Sequence, residues 1–155
     1  TAYRRQRQMC IETGFTLSQF EQAVSDLHKR NIPVITHLIL GLPGETKEDM
    51  LSSVRYVGSL PVTGIKLQLL HILKGTDLGT AYMADPFPLF TLEEYCDLIA
   101  DCIALLPPEI VIHRLTGDGP RNLLLAPLWS TDKKRVLNTI QKCLRERDLW
   151  QGKNI

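Results

Sequence analysis

Three histidines fall one in each of three apolar segments that are typical of β-strands. They are His37 in VITHLIL, His71 in GIKLQLLHIL and His113 in EIVIHRL. Three imidazoles that converge from neighbouring strands are a ligand set of catalytic zinc. His71, however, has the opposite strand parity to Lys66 and Gln68, and no nearby carboxylate is obvious as a partner that would orient the imidazoles. A zinc site is one hypothesis, and histidines hydrogen-bonded within the core are the alternative.

Lys66 and Gln68 form a second polar pattern. They alternate with Ile65, Leu67 and Leu69, so a β-strand places both on one face. Lysine is rarely buried without a partner. This face therefore either lines a wet, ligand-filled interior or is the solvated side of an edge strand.

The segment GLPGET, residues 41–46, ends the first of these strands. Gly41 and Gly44 let the backbone approach a ligand closely, Pro43 stiffens the turn, and the following helix would direct free N–H groups at the site. The segment is not a P-loop, because no Gly-Lys-Ser/Thr follows. It indicates either a ligand-binding strand end or an ordinary strand-to-helix turn.

Short apolar strands alternate with helical patterns along the chain, which predicts βα units on a parallel sheet. The expected strands cover 34–40, 63–73 and 109–115. Helices are expected to begin after Thr16, Thr46 and Thr91, each at the start of capping-box spacing, and after Ser130. The side chains expected on their buried faces are Phe20, Ala23, Val24, Leu27, Met50, Val54, Val57, Val136, Leu137, Ile140 and Leu144.

Three strands are too few for a complete α/β barrel or a sheet with both edges covered. A closed (β/α)₈ barrel takes ~250 residues, and a parallel sheet of three strands leaves an edge unpaired. We therefore expect further strands upstream of Thr1. As an isolated fragment the chain is expected to form a homo-oligomer, unless residues 3–12 or the last helix cover the edge.

Composition sets few limits on partners. Eighteen Lys and Arg residues against seventeen Asp and Glu residues leave a net charge of +1, which favours neither nucleic acid nor an anionic membrane. No apolar run approaches the ~20 residues of a membrane span, and the first residues lack a signal peptide's apolar stretch, so we expect a cytoplasmic protein. The cysteines at 10, 96, 102 and 143 form no Cys-x-x-Cys pair and are predicted to be core thiols rather than metal ligands.

The last helix carries a basic pattern that has two interpretations. It runs from Asp132-Lys-Lys-Arg to Arg145-Glu-Arg-Asp, with Trp129 and Trp150 nearby. Basic residues beside aromatic ones favour a nucleic-acid interface. Acidic residues interrupt the pattern, so a solvated helix face is the alternative.

Five segments in fixed order carry a resemblance to a known family: THLILGLPGET, GIKLQLLHILKGT, LPPEIVIHRLTGDGP, APLWS and RDLWQGK. Together they resemble the C-terminal half of a bacterial group of radical SAM proteins, close to the radical SAM domain of the Elp3 class of tRNA-modifying proteins. The resemblance implies an α/β fold, an incomplete (β/α) TIM-like barrel with a C-terminal helical extension. Residues 1–106 would be the C-terminal portion of the barrel and residues 107–155 the extension.

The resemblance also implies which residues form the site. In radical SAM proteins the strand before GLPGE runs alongside S-adenosylmethionine, and the glycine-proline turn closes that end of the cofactor pocket. The implied cofactor-binding residues are His37, Ile39, Gly41, Pro43, Gly44 and Leu70. The implied substrate-pocket residues are Lys66, Gln68, His113 and Arg114, and no metal ligand is expected in the chain.

Two departures from the family pattern stand out. The three-cysteine motif that holds the [4Fe–4S] cluster is absent from the sequence, so the cluster ligands are expected upstream of Thr1. Thr13-Gly14-Phe15 stands where relatives commonly have Arg-Gly-His, which implies the loss of an arginine contact to the cofactor carboxylate. The fragment alone is expected to be inactive and to bind S-adenosylmethionine weakly.

The implied function is that of the C-terminal part of a radical SAM iron–sulfur enzyme. Such an enzyme reductively cleaves S-adenosylmethionine to a 5′-deoxyadenosyl radical that acts on a substrate, here unknown, with RNA as one candidate. The alternative is a non-enzymatic RNA- or protein-binding module that uses the last helix and LWQGK. A zinc hydrolase would require His37, His71 and His113 to converge.

Overall fold

The computed structural model describes residues 15–117 and 119–155. Its helices are α1 (Leu17–Lys29), α2 (Lys47–Gly58), α3 (Asp77–Ala84), α4 (Leu92–Ala104) and α5 (Lys133–Glu146). Its strands are β1 (Ile35–Leu40), β2 (Gly64–Leu69), β3 (Ile72–Leu73), β4 (Val111–Arg114) and β5 (Leu124–Ala126). The predictions for Cys10, Thr13, Gly14 and residues 3–12 lie outside the described residues.

A parallel sheet of three strands, in the order β1, β2, β4, forms the centre of the fold. Its first ladder runs from Ile35 opposite Gly64 to Leu40 opposite Leu69. The prediction of one continuous strand over 63–73 is wrong, because the chain leaves this sheet after Leu69. Strand β3 instead pairs antiparallel with β5 as a separate ribbon.

Side-chain caps fix where the helices begin. Thr16, Thr46 and Thr91 each accept a hydrogen bond from the N–H three residues on, and the side chain at that position bonds back to the threonine N–H. The three predicted capping boxes are confirmed. The prediction for Ser130 is wrong: a 3₁₀ helix covers Leu128–Thr131, the Ser130 hydroxyl donates to the Pro127 carbonyl, and Asp132 caps α5.

The main core lies between the helices and one face of the sheet. Leu40, Ile65 and Leu67 alternate along the strands and are buried in the same cluster as residues of α2 and α4. Burying one such aliphatic side chain stabilises the fold by ~1.5–3 kcal/mol. Cys96 and Cys102 of α4 are buried in this core, as predicted, whereas Cys143 of α5 is only half-buried and the prediction for it is wrong.

Fewer side chains of the peripheral helices α1 and α5 are buried than their sequence pattern predicts. Val24 of α1 and Val136 and Ile140 of α5 are buried, but Leu27 and Leu137 remain 36% and 42% exposed, and Ala23 is exposed too. The burial predicted for these three residues is wrong.

In residues 15–117 and 119–155 no helix combines the length and apolar character that crossing a membrane requires.

An ion-pair network joins α2, α4 and the end of α5. The Asp101 carboxylate lies 2.5 Å from Lys47 Nζ and 2.5 Å from the Arg147 guanidinium, which also reaches Asp97. Burial opposes ionisation of Asp101, but the ion pairs with Lys47 and Arg147 hold its pKa below the ordinary value. The network therefore fastens the last helix to the barrel helices.

The segment LWQGK, after α5, folds back on the connection between α4 and β4. Gln151 Nε2 donates to the carbonyls of Pro107 and Ile110, each at 2.7 Å. Lys153 Nζ lies 4.3 Å from the centre of the Trp150 ring. These contacts hold the LWQGK segment against the residues that immediately precede β4.

Candidate functional site

Apart from the buried Thr36, the polar side chains of the parallel strands lie on the face of the sheet opposite the helices. Residues that pair in a parallel ladder share a face, and His37 pairs with Lys66 while Ile39 pairs with Gln68. His37 is exposed, whereas Ile39, Lys66 and Gln68 are half-buried. The structure thus brings together on one face four residues that the family resemblance implied for the site.

One direct contact links β1 and β2 on this face. The Gln68 amide nitrogen lies 3.3 Å from His37 Nδ1. Because an amide nitrogen can only donate, Nδ1 accepts and the neutral imidazole carries its proton on Nε2. The contact fixes which His37 nitrogen can donate to a ligand.

The ladder between β2 and β4 is irregular, and the irregularity reorients β4. Ile65 pairs with Ile112, but Lys66 pairs with Arg114, so His113 is passed over. A bulge of this kind lets two consecutive side chains lie on the same face. His113 lies over Gly64, where an added Cβ would stand 2.6 Å from the imidazole. We call the face formed by these side chains the open face; it comprises Ile35, His37, Ile39, Gly64, Lys66, Gln68, Val111, His113 and Arg114.

The electrostatic environment of His37 is basic. Although His37 is exposed, partial desolvation of its ring by the neighbouring atoms lowers its pKa, and the nearby charges of Lys66 and Arg114 lower it further. At neutral pH the imidazole is therefore uncharged and can donate through Nε2.

The GLPGET turn lies at the carboxyl end of β1. Gly41 and Gly44 have φ values of +86° and +79°, and Glu45 N–H donates to the Leu42 carbonyl at 3.0 Å. With Pro43 between them, this is the arrangement of a type II turn. The predicted role of free helix N–H groups is not supported, because the Thr46–Asp49 capping box uses two of them and acidic residues occupy the first turn of α2.

Three aromatic side chains support this turn from behind. The Phe90 ring lies against Gly41, where an added Cβ would be 2.9 Å from it. Tyr95 is fully buried, with its ring centre 6.3 Å from that of Phe90 and 5.7 Å from that of Trp129. The APLWS segment thereby contributes Trp129 to the support of GLPGET, a connection that the sequence did not reveal.

His71 lies under the TGDGP loop and not on the open face. Gly119 N–H donates to His71 Nδ1 at 3.1 Å, and a Cβ on Gly117 would lie 2.4 Å from the imidazole. These two glycines are required because the ring occupies the space beside them. Leu70 precedes it, is buried, and donates its N–H to the Leu40 carbonyl.

The described residues do not hold a metal centre. In 15–117 and 119–155 no three His, Cys, Asp or Glu side chains are grouped as metal ligands, so the convergence required for a zinc hydrolase does not occur. Burial raises the pKa of Cys96 and of Cys102 to about 12, so both are protonated thiols at neutral pH. A [4Fe–4S] cluster does not fit these residues.

A parallel sheet with helices on one face and polar side chains on the other defines part of an α/β barrel. A solved structure, the archaeal Methanocaldococcus infernus Elp3 with an N-terminal deletion, is similar with a TM-score of 0.74. The similarity covers 94% of this chain and 34% of that chain, at 16% identity. The predicted fold class is confirmed.

The chain belongs to the family of the radical SAM C-terminal domain, whose model matches residues 62–146, more than half of the chain. Among curated relatives, YtqA of Bacillus subtilis is 40% identical over 145 residues, which are 94% of this chain and 45% of that protein. The tRNA uridine(34) acetyltransferase of Dehalococcoides mccartyi is 27% identical, over 89% of this chain and 32% of that protein. The chain thus spans less than half the length of these relatives. The matched range crosses residue 106, and the division into 1–106 and 107–155 stays a prediction.

Proposed function

We propose that this chain is the C-terminal part of a radical SAM enzyme and that its open face contributes to the cofactor and substrate pocket. The observation that carries the proposal is the grouping of His37, Lys66, Gln68 and Arg114 on the sheet face that the helices leave uncovered. In α/β barrels this face points to the interior, and ligands bind at the carboxyl ends of the strands. Family membership supports the same conclusion.

The residues of β1 and its turn fit an adenosylmethionine group. His37 offers an N–H donor, Ile39 an apolar surface beside it, and Gly41 a backbone free of side-chain bulk. We propose that these residues, with Pro43, Gly44 and Leu70, hold the cofactor. The cofactor and the cluster together supply one-electron chemistry that removes a hydrogen atom from a substrate.

RNA is the substrate class that we propose to test first. A curated relative at 27% identity is named for its action on a tRNA uridine. The basic side chains of the open face suit a polyanionic substrate better than a neutral one. Cluster ligands would come from the part of the protein upstream of Thr1.

The test uses the full-length protein, purified anaerobically with a reconstituted cluster. Reduction with dithionite in the presence of S-adenosylmethionine is expected to yield 5′-deoxyadenosine, measured by mass spectrometry. A reconstituted protein that binds S-adenosylmethionine but yields none after reduction would contradict the proposal.

A matched pair of variants tests the assignment of His37. His37→Ala is expected to weaken S-adenosylmethionine binding about tenfold, the effect of a lost hydrogen bond to a bound ligand. His28→Ala, at an exposed position in the last turn of α1, is the control and should leave affinity within about twofold. Equal affinities of the two variants would exclude His37 from the cofactor site. For the isolated 155-residue chain we expect weak binding, and sub-micromolar one-to-one binding would contradict this.

One observation favours the second candidate, an RNA-binding module. One face of α5 carries the basic side chains of Lys134, Arg135 and Lys142 beside Asn138 and Thr139, with Asp132 at its amino end. LWQGK, in contrast, is engaged in contacts within the chain. Lys134→Glu with Arg135→Glu would abolish salt-dependent RNA binding if this face of α5 is the interface.

A further inference from the structure

Tyr95 of α4 places a hydroxyl group inside the main core. The residue is fully buried, and its Oη donates to the Leu115 carbonyl at 3.0 Å. A buried hydroxyl costs free energy unless it is hydrogen-bonded, and the net gain from such a bond is small. A phenylalanine ring would fill the same space without introducing that cost. The specific effect of the bond is therefore directional, since it fixes where the Tyr95 ring lies relative to Leu115.

The bond holds the carboxyl end of β4, because Leu115 directly follows that strand. The ladder between β2 and β4 ends at the pair of Lys66 with Arg114, so it stops before Leu115. On the helix side, the capping box of Thr91 fixes the start of α4 and with it the position of Tyr95. The tyrosine thus holds a part of the chain that the strand ladder does not reach.

The same ring contacts the support of the GLPGET turn. Its centre lies 6.3 Å from that of Phe90, which is within the range of aromatic pairs. The Phe90 ring in turn lies so close to Gly41 that an added Cβ would stand 2.9 Å from it. Because close-packed interiors transmit displacements, a shift of the Tyr95 ring reaches the turn through Phe90.

These two connections join opposite sides of the sheet. Strands β1 and β4 are its outer strands, with β2 between them. The turn follows β1 and Leu115 follows β4, so both contacts lie at carboxyl ends of strands. One side chain therefore links the two outer strand ends from the side that the helices cover.

We infer that Tyr95 is a positioning residue that sets the distance between the GLPGET turn and the carboxyl end of β4. The inference rests on the proposed function, because these strand ends border the pocket that we propose for cofactor and substrate. Since Tyr95 is fully buried in the core, it acts through Phe90 and Leu115 and not by contact with a ligand.

The experiment uses the full-length protein and two variants of Tyr95. Tyr95→Phe keeps the ring and removes the hydroxyl, whereas Tyr95→Leu removes both. Without any ligand, Tyr95→Phe is expected to speed hydrogen exchange in residues 115–117 and also in residues 41–46, which the hydroxyl does not contact. S-adenosylmethionine affinity, measured by calorimetry, should fall about threefold in Tyr95→Phe and about tenfold in Tyr95→Leu.

Ile103→Ala is the control for general destabilisation. Ile103 is buried at the opposite end of α4, and its truncation should lower the Tm at least as much as Tyr95→Phe does. At a temperature well below the Tm of every variant, it should leave exchange in 41–46 and S-adenosylmethionine affinity within about twofold of the wild type.

Several outcomes would overturn the inference. Unchanged exchange in 41–46 in Tyr95→Phe would show that the hydroxyl does not act on the turn. An affinity loss as large in Ile103→Ala as in the Tyr95 variants would assign the effect to stability alone. If Tyr95→Leu does not fold, Tyr95→Phe, which keeps the packed volume, decides the question. Failure of the proposed function has a different readout, since a wild type that yields no 5′-deoxyadenosine leaves the ligand-free exchange comparison intact.

Discussion

The indole Nε1–H of Trp129 donates to the backbone carbonyl of Phe90 at 2.9 Å. The two residues are 39 positions apart, one in the C-terminal part of the chain and one just before α4. The bond ties the C-terminal part to the segment that supports GLPGET, so the site depends on residues distant from it in sequence.

Removing this bond should destabilise the protein. Trp129→Phe leaves the Phe90 carbonyl without its partner and is expected to lower the free energy of unfolding by ~1–3 kcal/mol. Trp150→Phe is the control: that ring is 56% exposed, and its loss should cost under ~1 kcal/mol. Urea denaturation of both variants measures the difference, and equal effects would mean that the Trp129 bond contributes nothing.

Gly41→Ala should be more destabilising than Gly75→Ala. Both residues have positive φ, but a Cβ at Gly41 would meet the Phe90 ring at 2.9 Å, whereas nothing lies within 4 Å of a Cβ at Gly75. Gly75→Ala is expected to cost ~1–2 kcal/mol for backbone strain alone, and Gly41→Ala ~1–3 kcal/mol more for the collision. Combining Gly41→Ala with Phe90→Leu should recover part of the excess, since the smaller side chain gives way. If the two substitutions change the free energy of unfolding additively, the Gly41→Ala Cβ does not collide with the Phe90 ring.

Asp101→Asn should reduce stability at neutral pH and have little effect in acid. The folded-state pKa of Asp101 is lowered by Lys47 and Arg147 against the opposing effect of burial, so its contribution is present above the unfolded pKa. That contribution is lost as pH falls through the folded pKa. We expect a loss of ~1–2 kcal/mol at pH 7, measured by urea denaturation across pH. The exposed Asp85→Asn is the control, and a difference between Asp101→Asn and wild type that did not shrink in acid would refute the ion-pair explanation.

His37 should make the folded state less stable as the medium is acidified. Its folded pKa lies below the ordinary value of 6.5, because burial, Lys66 and Arg114 all disfavour the imidazolium. The unfolded chain therefore binds the proton first, and stability falls as pH drops below the ordinary value until the folded pKa is passed. His37→Gln should flatten this part of the stability profile. An identical profile for wild type and His37→Gln would show that the pKa of His37 does not change on folding.

The isolated 155-residue chain is expected to self-associate. Ile35 and Val111 are 42% and 57% exposed on the open face, and apolar side chains grouped on an open sheet favour association. Light scattering at micromolar concentration should give a dimer or larger, and Ile35→Ser with Val111→Ser should shift it toward the monomer. Leu128→Ser, at an exposed position outside the sheet, is the control. A wild-type monomer would contradict the expectation.

Local features of the fold could be predicted from the sequence, and contacts between distant segments could not. The capping boxes at Thr16, Thr46 and Thr91 involve residues three apart, so spacing alone reveals them. The β3–β5 ribbon joins residues more than fifty positions apart, and its strands are too short to leave a periodic pattern. The prediction that Ser130 caps α5 failed because a 3₁₀ turn covers Leu128–Thr131, and Asp132, whose residue type caps helices equally well, stands at the start of the helix.

The candidate site was likewise predictable in part. The prediction that Lys66 and Gln68 share a face was possible because successive side chains of a β-strand point to opposite faces. The alignment of Arg114 with Lys66 depends on a bulge, which a sequence pattern does not specify. The packing of Phe90 against Gly41 and of His71 against Gly117 depends on tertiary contacts, although the glycines themselves were a signal.

The fastening of Gln151 to Pro107 and Ile110 has a practical consequence for handling the protein. These contacts hold the last residues near the amino end of β4, whereas the GLPGET turn lies at the opposite end of the sheet. An affinity tag or fluorescent reporter attached at the exposed Ile155 would therefore emerge on the far side of the sheet from the strand ends that we propose to bind ligand. Immobilisation through such a fusion presents the open ends of the strands to solution, which suits surface-based binding measurements.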